Sequence, residues 1–385
     1  MFIHFQRLAI LYLPFAGAAI ASSVGGLRPS TTPGLSSMNV VSHSTTPGPS
    51  SMVGVSRSAI RGPRFATVEL SRSDRVNADI QYGKLSGISL EEFESWVDST
   101  GHDIGAFRNM QRRPMFTMAA QGHRLDIAEF LIRRGLNVDN DNDLAGHTPL
   151  MAAVVSKDVD IIRLLLRNGA DVNRDIHGKT ALRVAIRTHS TELVELLIKE
   201  GGADVNLGEG AALVDAAQVG DIPIIDILLR SGADIQQVYH HLIDPLRAAA
   251  CSRADNRDEV FDFLVQRGAN VNRTNQIGTG GLENAALQGR CDIVEMYFRN
   301  GADIHVVDTW GKTLLMKAAS KGHANVVEFL IQRGVDIEAV EIQRRSALDI
   351  ARHQLALKPT HEGYKAVVRL IEDALAENAT GYVFK

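Results

Sequence analysis

The sequence predicts an all-α solenoid of stacked helix pairs joined by short hairpin turns, and three observations predict it. The first is a glycine that closes an apolar helical stretch at Gly101, Gly135, Gly169, Gly201, Gly232, Gly268, Gly301 and Gly334, so that the same ending returns every 31 to 36 residues. The second is an alanine upstream of seven of these glycines, at Ala119, Ala153, Ala185, Ala216, Ala249, Ala285 and Ala318. The interval is 16 residues in six cases, and 19 from Ala249 to Gly268. The third is helix-start chemistry ahead of several of these alanines, clearest in Thr148-Pro149 before Ala153. Two markers that keep register over so many copies identify a repeat architecture, because each copy must offer its neighbour the same contact.

One unit shows the logic. Thr148 can cap a helix, its hydroxyl accepting from a free N–H of the first turn, and Pro149 follows where a missing N–H costs nothing. Ala153 is small because a neighbouring helix must come close. Ile161, Ile162, Leu165 and Leu166 have the spacing of a second helix with one apolar face. Gly169 can adopt the left-handed conformation that ends it, and Ala170-Asp171-Val172-Asn173 leads into an extended turn.

The pattern G-x-T-P-L-x-x-A followed by L-L-x-x-G-A-D-V-N, at about 33 residues per unit, resembles the ankyrin repeat. It is clearest over 146–173, 178–206 and 311–337. Units run from Arg112 to about Ala339, a divergent last unit covers 344–375, and a half unit around 90–101 caps the front. The resemblance covers roughly three quarters of the chain and implies a protein-binding scaffold. The family's His after T-P-L is absent: Thr117, Met151, Arg183, Val214, Arg247, Glu283, Met316 and Asp349 stand there instead. That His ties neighbouring loops in the family, so weaker bonding between units is expected. The fourth unit has Ala211-Ala212 and the sixth Gly280-Gly281 in place of Thr-Pro, whereas Asp244-Pro245 in the fifth should cap well. The softest stretch is therefore expected at about 202–290.

The family holds its partners by the turn tips and first helices of the concave side. By motif, the tips fall at 139–145, 174–177, 207–209, 236–242, 273–277, 305–310 and 338–343. Trp310 is the first candidate partner-binding residue, since an indole on a tip suits an interface anchor; folding back onto its own loop is the alternative. His305 shares its tip. Tyr239, His240 and His241 form a second, weaker candidate, and two adjacent loop histidines read as surface rather than as a metal site.

The residues before the array differ in kind. No acidic residue precedes Glu69. Arg7 ends a short n-region, and a 14-residue apolar stretch from Leu8 to Ala21 closes on Ala19-Ile20-Ala21. Residues 1–21 thus resemble a secretory signal peptide; an organelle transit peptide and an extension with no address remain open. Residues 22–74 read as a linker: from Ser22 to Ser58, 15 of 37 residues are Ser or Thr and nine are Gly or Pro, too few apolar groups to offset the entropy of ordering. The array is assigned to 75–376 and a tail to 377–385.

Sites of chemistry dissolve into the repeat. The Gly-Lys-Thr triplets at 178–180 and 311–313 lack the earlier glycine of a phosphate loop. Asp139 to Asp143 starts like a calcium loop, but the sixth and twelfth positions are Leu144 and Leu150. Gly278-Thr279-Gly280-Gly281 lacks the preceding strand of a dinucleotide site. Cys251 and Cys291 have no metal-ligand spacing and read as free thiols, with a single disulfide left open. The formal net charge of -4 gives no reason to expect nucleic acid. The expectation is a monomeric, non-enzymatic chain that binds another protein, with no cofactor, metal or small-molecule substrate. Two settings compete: an adaptor inside the cell, with an enzyme as a remote third reading, or an exported effector that uses the 1–21 leader.

Overall fold

A computed structural model describes residues 71–380, apart from 102, 140–142, 144–145, 239–242 and 276. The leader, most of the linker and the Tyr239-His240-His241 candidate therefore lie outside the described residues. Among the described residues eighteen helices follow one another, and they form nine antiparallel pairs. In order these are α1 (Arg72–Gln81) with α2 (Leu90–Thr100), α3 (Met115–Gln121) with α4 (Leu125–Arg133), and α5 (Pro149–Ser156) with α6 (Val159–Arg167). Next come α7 (Ala181–Arg187) with α8 (Thr191–Lys199), α9 (Leu207–Val219) with α10 (Ile222–Arg230), and α11 (Pro245–Ala250) with α12 (Arg257–Gln266). The last three are α13 (Gly281–Gln288) with α14 (Cys291–Arg299), α15 (Leu314–Ala319) with α16 (Ala324–Gln332), and α17 (Ala347–Leu357) with α18 (Glu362–Thr380). Between pairs the backbone makes only isolated antiparallel bridges, among them Ile176 with Lys179 and Val307 with Thr313.

The ends differ from the sequence reading. Helix α1 takes Arg72, Ser73 and Asp74 out of the linker and completes the half unit as a full pair. At the other end α18 runs to Thr380, past the expected limit of the array. Among the described residues no helix is long and apolar enough to cross a membrane. Both cysteines are free, Cys251 exposed and Cys291 half-buried.

The helices start and stop for the reasons the residues suggest. The Thr148 hydroxyl accepts from the Met151 N–H at 3.2 Å, and the Asp244 carboxylate accepts from the Arg247 N–H at 2.8 Å. Second helices are capped too: Asp158 accepts from the Ile161 N–H at 3.0 Å and Asp221 from the Ile224 N–H at 3.1 Å. Gly169 ends the α6 segment with φ at 85°, a conformation that is unstrained only without a Cβ. All seven register alanines are buried, where first helix meets first helix along the stack. Leucine holds the position four residues before the terminal glycine in Leu131, Leu165, Leu197, Leu228, Leu264 and Leu330, all buried.

Polar side chains join successive turns in a ladder. The residue four after the glycine, or five after Gly201, accepts a hydrogen bond from a backbone N–H of the next unit. Asp139 takes the Asp171 N–H (2.9 Å), Asn173 the Asp204 N–H (2.8 Å), Asn206 the Asp234 N–H (2.8 Å) and Asn272 the Asp303 N–H (2.8 Å). Gln236 takes the Asn270 N–H at 3.4 Å. Within each unit the Asp or Asn two residues earlier accepts from this residue's own N–H, as Asp171 does from Asn173 at 3.0 Å. Orphan turn N–H groups are thereby satisfied across the unit boundary.

The expectation of weak bonding between units needs correction, because other side chains make the ties. Arg183, in the family's His position, donates to both oxygens of Asp215 in the next unit (2.6 and 3.1 Å) and to the Gly178 carbonyl of its own turn. His123 reaches Asp158 at 3.0 Å and His189 reaches Asp221 at 3.1 Å, each in the following unit. Met151, Val214 and Met316 exchange the polar tie for burial. At Thr117 the tie is lost outright, since its buried hydroxyl has no partner among the described residues.

The fourth unit also departs from expectation. The tip assigned to 207–209 does not exist, because α9 begins at Leu207. In other units the residue that organises the hairpin stands five before the helix cap, and two to four residues after the ladder residue. Here, counted from Ala211 at the position where the other units place their cap, both positions fall on Asn206, whose side chain accepts from Asp234 and donates to the Gly232 carbonyl. One side chain cannot hold a ladder and a hairpin together.

The stack is loosest between the fifth and sixth full units. First helices pack closely from α3 to α5, α7, α9 and α11, and again from α13 to α15 and α17, while α11 and α13 approach less closely. A cavity of about 730 Å³ opens at this seam, lined by Arg247, Arg273, Gly280 and Asn284 among others. The outer side compensates. Tyr297 replaces the usual leucine and packs edge-on against Phe261 of α12 at 4.9 Å between ring centroids. Arg257 of α12 pairs with Asp292 of α14 at 2.9 Å, and hydrogen bonds from Arg290 and Arg257 hold the Asp292 carboxyl down at about 2. Burial pushes the Tyr297 hydroxyl well above its usual range, so it stays neutral. The larger tyrosine explains Gly281: a Cβ there would lie 1.9 Å from the Tyr297 hydroxyl oxygen. Gly281→Ala is expected to lower stability by about 1–3 kcal/mol through overpacking, and Tyr297→Leu to remove most of that penalty. Denaturant unfolding of the four proteins measures the coupling; equal penalties in both backgrounds would refute the contact.

Candidate partner-binding surface

The hairpin turns project from the stack as fingers, and one residue type builds them. An Asp or Asn five residues before the helix cap turns its side chain onto the backbone that follows. Asn109 accepts from the Arg113 N–H (2.8 Å), Asp143 from the His147 N–H (2.8 Å) and Asp175 from the Gly178 N–H (2.6 Å). Asn275 accepts from both Ile277 (3.0 Å) and Thr279 (2.9 Å), and Asp308 from both Trp310 (3.0 Å) and Lys312 (2.9 Å). In the last finger Glu341 takes this place and pairs with Arg345 at 2.6 Å. The sequence reading missed these residues, although their fixed distance from the cap was visible in it.

Asp308 does more than shape its finger. Its second oxygen lies 3.3 Å from the Lys317 ammonium of α15, and the two side chains are only 3% and 6% exposed. A buried ion pair therefore fastens the finger that carries Trp310 to the helix behind it. Trp310 itself is 49% exposed. Its backbone is fixed on both sides, because its N–H goes to Asp308 and its carbonyl accepts from the Ile342 N–H of the next finger at 3.1 Å.

Three fingers stand in contact here. A Cβ on Gly278 would lie 3.0 Å from the Asp308 backbone, and Gly311 faces the Glu341 backbone in the same way at 3.6 Å. The row displays Ile277, Val307, Trp310, Val340 and Ile342, all strongly exposed. These are half of the large apolar side chains that the described residues expose, gathered on a small part of the surface. A cavity of about 310 Å³ opens beside the indole, lined by Trp310, Lys312, Glu341, Ile342 and Gln343. Contiguous exposed apolar area on rigid turns is the physical mark of an interaction surface.

The other predicted residues fall differently. His305 occupies the ladder position of its unit; its N–H donates to Asp303 at 2.8 Å and its side chain is exposed. It is not part of the apolar row, and Tyr239, His240 and His241 are not described. Among the described residues no cluster of three or more metal-ligating side chains occurs. Asp308→Ala is expected to cost about 3–5 kcal/mol, because it strands the buried Lys317 charge, whereas Trp310→Ala should change stability by no more than about 0.5 kcal/mol. Thermal unfolding of the two variants separates these roles; a large loss in Trp310→Ala would place the indole in the core.

The comparisons with known proteins follow the same units. The family model described as ankyrin repeats (3 copies) matches residues 91–176, 115–209, 174–239 and 282–373. These ranges leave out 240–281, which runs up to the loose seam. Alpha-latrocrustotoxin-Lt1a of Latrodectus tredecimguttatus is 27% identical over 150 residues, 39% of this chain and 8% of that protein. The ankyrin repeat and KH domain-containing protein mask-1 of Caenorhabditis elegans is 29% identical over 200 residues, 51% of this chain and 7% of that protein. Each alignment thus spans under a tenth of the relative's length. With more than half of its residues matched, and the matched stretches built as successive helix pairs, this chain belongs to the ankyrin-repeat family, whose repeats are protein-interaction modules.

Proposed function

We propose that the chain is a non-enzymatic scaffold or adaptor that binds another protein through the apolar finger row, with Trp310 as its anchor. The observation that carries this reading is the concentration of Ile277, Val307, Trp310, Val340 and Ile342 on three touching fingers. An exposed indole held by backbone hydrogen bonds loses little freedom on binding, so its burial goes largely into affinity. The chain acts in this reading as a monomer, without nucleic acid, cofactor or small-molecule substrate.

A second setting has its own support. The leader-like residues 1–21 and the similarity to a protein named as a toxin favour an exported effector that acts on a protein target elsewhere. N-terminal sequencing of the mature protein discriminates the two: a chain starting at Ser22 supports export, and an intact Met1 supports the adaptor.

The binding experiment is affinity capture with the full-length chain, followed by the same capture with Trp310→Ala and with Trp310→Ala/Ile342→Ser. Captured proteins should be lost at least tenfold in the variants while the melting temperature holds, since a hot-spot truncation costs about 2 kcal/mol or more. Undiminished capture by both variants would remove the finger row from the binding function.

A further inference from the structure

We propose that the concave pocket between α5 and α7 is a socket for an acidic side chain of a bound polypeptide, in a segment that also presents an apolar residue. The proposal rests on the reading of the chain as a protein binder and names the chemistry of one part of the partner.

The pocket has a volume of about 250 Å³, room for one side chain. Its walls carry His147, Lys179, Arg183 and Arg187 together with Val155 and Val184 and, among the described residues, no carboxylate. The described acids nearby are already engaged. Arg183 holds both oxygens of Asp215, and Arg187 stands 3.7 Å from that same carboxylate, a second cation on a charge already matched. Asp143 is taken by the His147 N–H at 2.8 Å and faces the His147 ring at 3.5 Å. Asp175 is taken by the Gly178 N–H at 2.6 Å. What remains at the mouth is positive charge: the Arg187 side chain is 61% exposed.

The apolar part is equally local. Val155 is 49% exposed on the inner face of α5. In the units on either side the matching position is polar, Gln121 before it and Arg187 after it. A valine left open beside a ring of cations suits an acidic residue with an apolar neighbour, the acid paired to Arg187 and Lys179 and the neighbour desolvated on the valines. A polypeptide is favoured over nucleic acid because, among the described residues, the wall contains no aromatic ring on which a base would stack, and because the pocket accepts a side chain rather than a strand.

The test is a positional array of capped heptapeptides with a fixed central Glu, Asp, Gln, Lys or Leu and apolar residues at the flanks, probed with the full-length chain. Peptides centred on Glu or Asp are expected to be retained about tenfold better than their Gln counterparts, the scale of a charge-assisted pair. Arg187→Gln, which leaves Asp215 paired with Arg183, should abolish that preference, and Lys179→Gln should reduce it. Equal retention of Glu and Gln peptides would overturn the proposal, as would a preference that survives in Arg187→Gln. So would displacement of the acidic peptides by a single-stranded oligonucleotide at lower concentration than by the free peptide. The array needs no cellular partner, and Trp310→Ala serves as its control. An acid preference lost while capture through the fingers persists strikes the socket alone; the reverse outcome strikes the finger row alone.

Discussion

Everything in this molecule depends on one constraint: a pair of helices six to nineteen residues long cannot satisfy itself. It has an apolar face on each side and turn N–H groups with no partner of their own. Stacking answers both needs at once, which is why the buried alanines and leucines and the Asp/Asn ladder recur with the same period. The ladder makes the apolar stack directional. Asn173 accepts from Asp204 and Asn206 from Asp234, at 2.8 Å each, so one unit cannot slide along the next without stranding polar groups. Fold and register come from the same residues.

The fingers follow from that register. Because the stack fixes where each helix starts, an Asp or Asn five residues earlier fixes the turn, and the turn fixes what is displayed. In the seventh full unit the chain runs from the buried Lys317 to Asp308 and on to the backbone of Trp310 with no loose joint. An apolar side chain on such a turn is held ready for contact. The same five-residue rule explains where display fails: at Asn206 the ladder and finger duties fall on one side chain, and the helix starts at once. A finger needs its Asx residue at least two positions after its ladder residue, which is the offset from Asn173 to Asp175.

Much of this was legible in the sequence, and the reason is instructive. Thr148, Pro149, Ala153 and Gly169 each have one conformational use that a repeat makes obvious, so helices, caps and turns could be read from them. Trp310 was legible as a tip residue because position within the unit is enough to place a side chain on a finger. The apolar row around it was not: Ile277, Val307, Val340 and Ile342 fall inside the assigned tips, but nothing within one unit shows that three fingers stand in contact. The Arg183–Asp215 pair was hidden for a different reason. Comparison with the family marks Arg183 as a lost histidine, and only the next unit's carboxylate shows that the function of the tie is retained by another donor. Side chains that act across a unit boundary are seen from one unit as substitutions and from two units as pairs.

The seam between α11 and α13 carries that lesson furthest. Gly280-Gly281 looks in isolation like a worn repeat, a cap replaced by two residues of poor helix propensity. Beside Tyr297 it is a fit: the glycine at 281 leaves the space that the tyrosine hydroxyl fills, and the ring reaches Phe261 across the joint. In a stack with only nearest-neighbour contacts, stability is a sum over units and interfaces. A unit that gives up close packing between its first helices is here joined by contacts of its second helices and by the Asn272–Asp303 ladder bond. The Phe261–Tyr297 contact and the Arg257–Asp292 pair both lie on that outer side. The concave side is thereby left open at the joint, where Arg247 and Arg273 border the cavity. Two outer contacts thus cross a joint where the inner helices stand apart, and the glycine at 281 and the tyrosine at 297 are parts of one change.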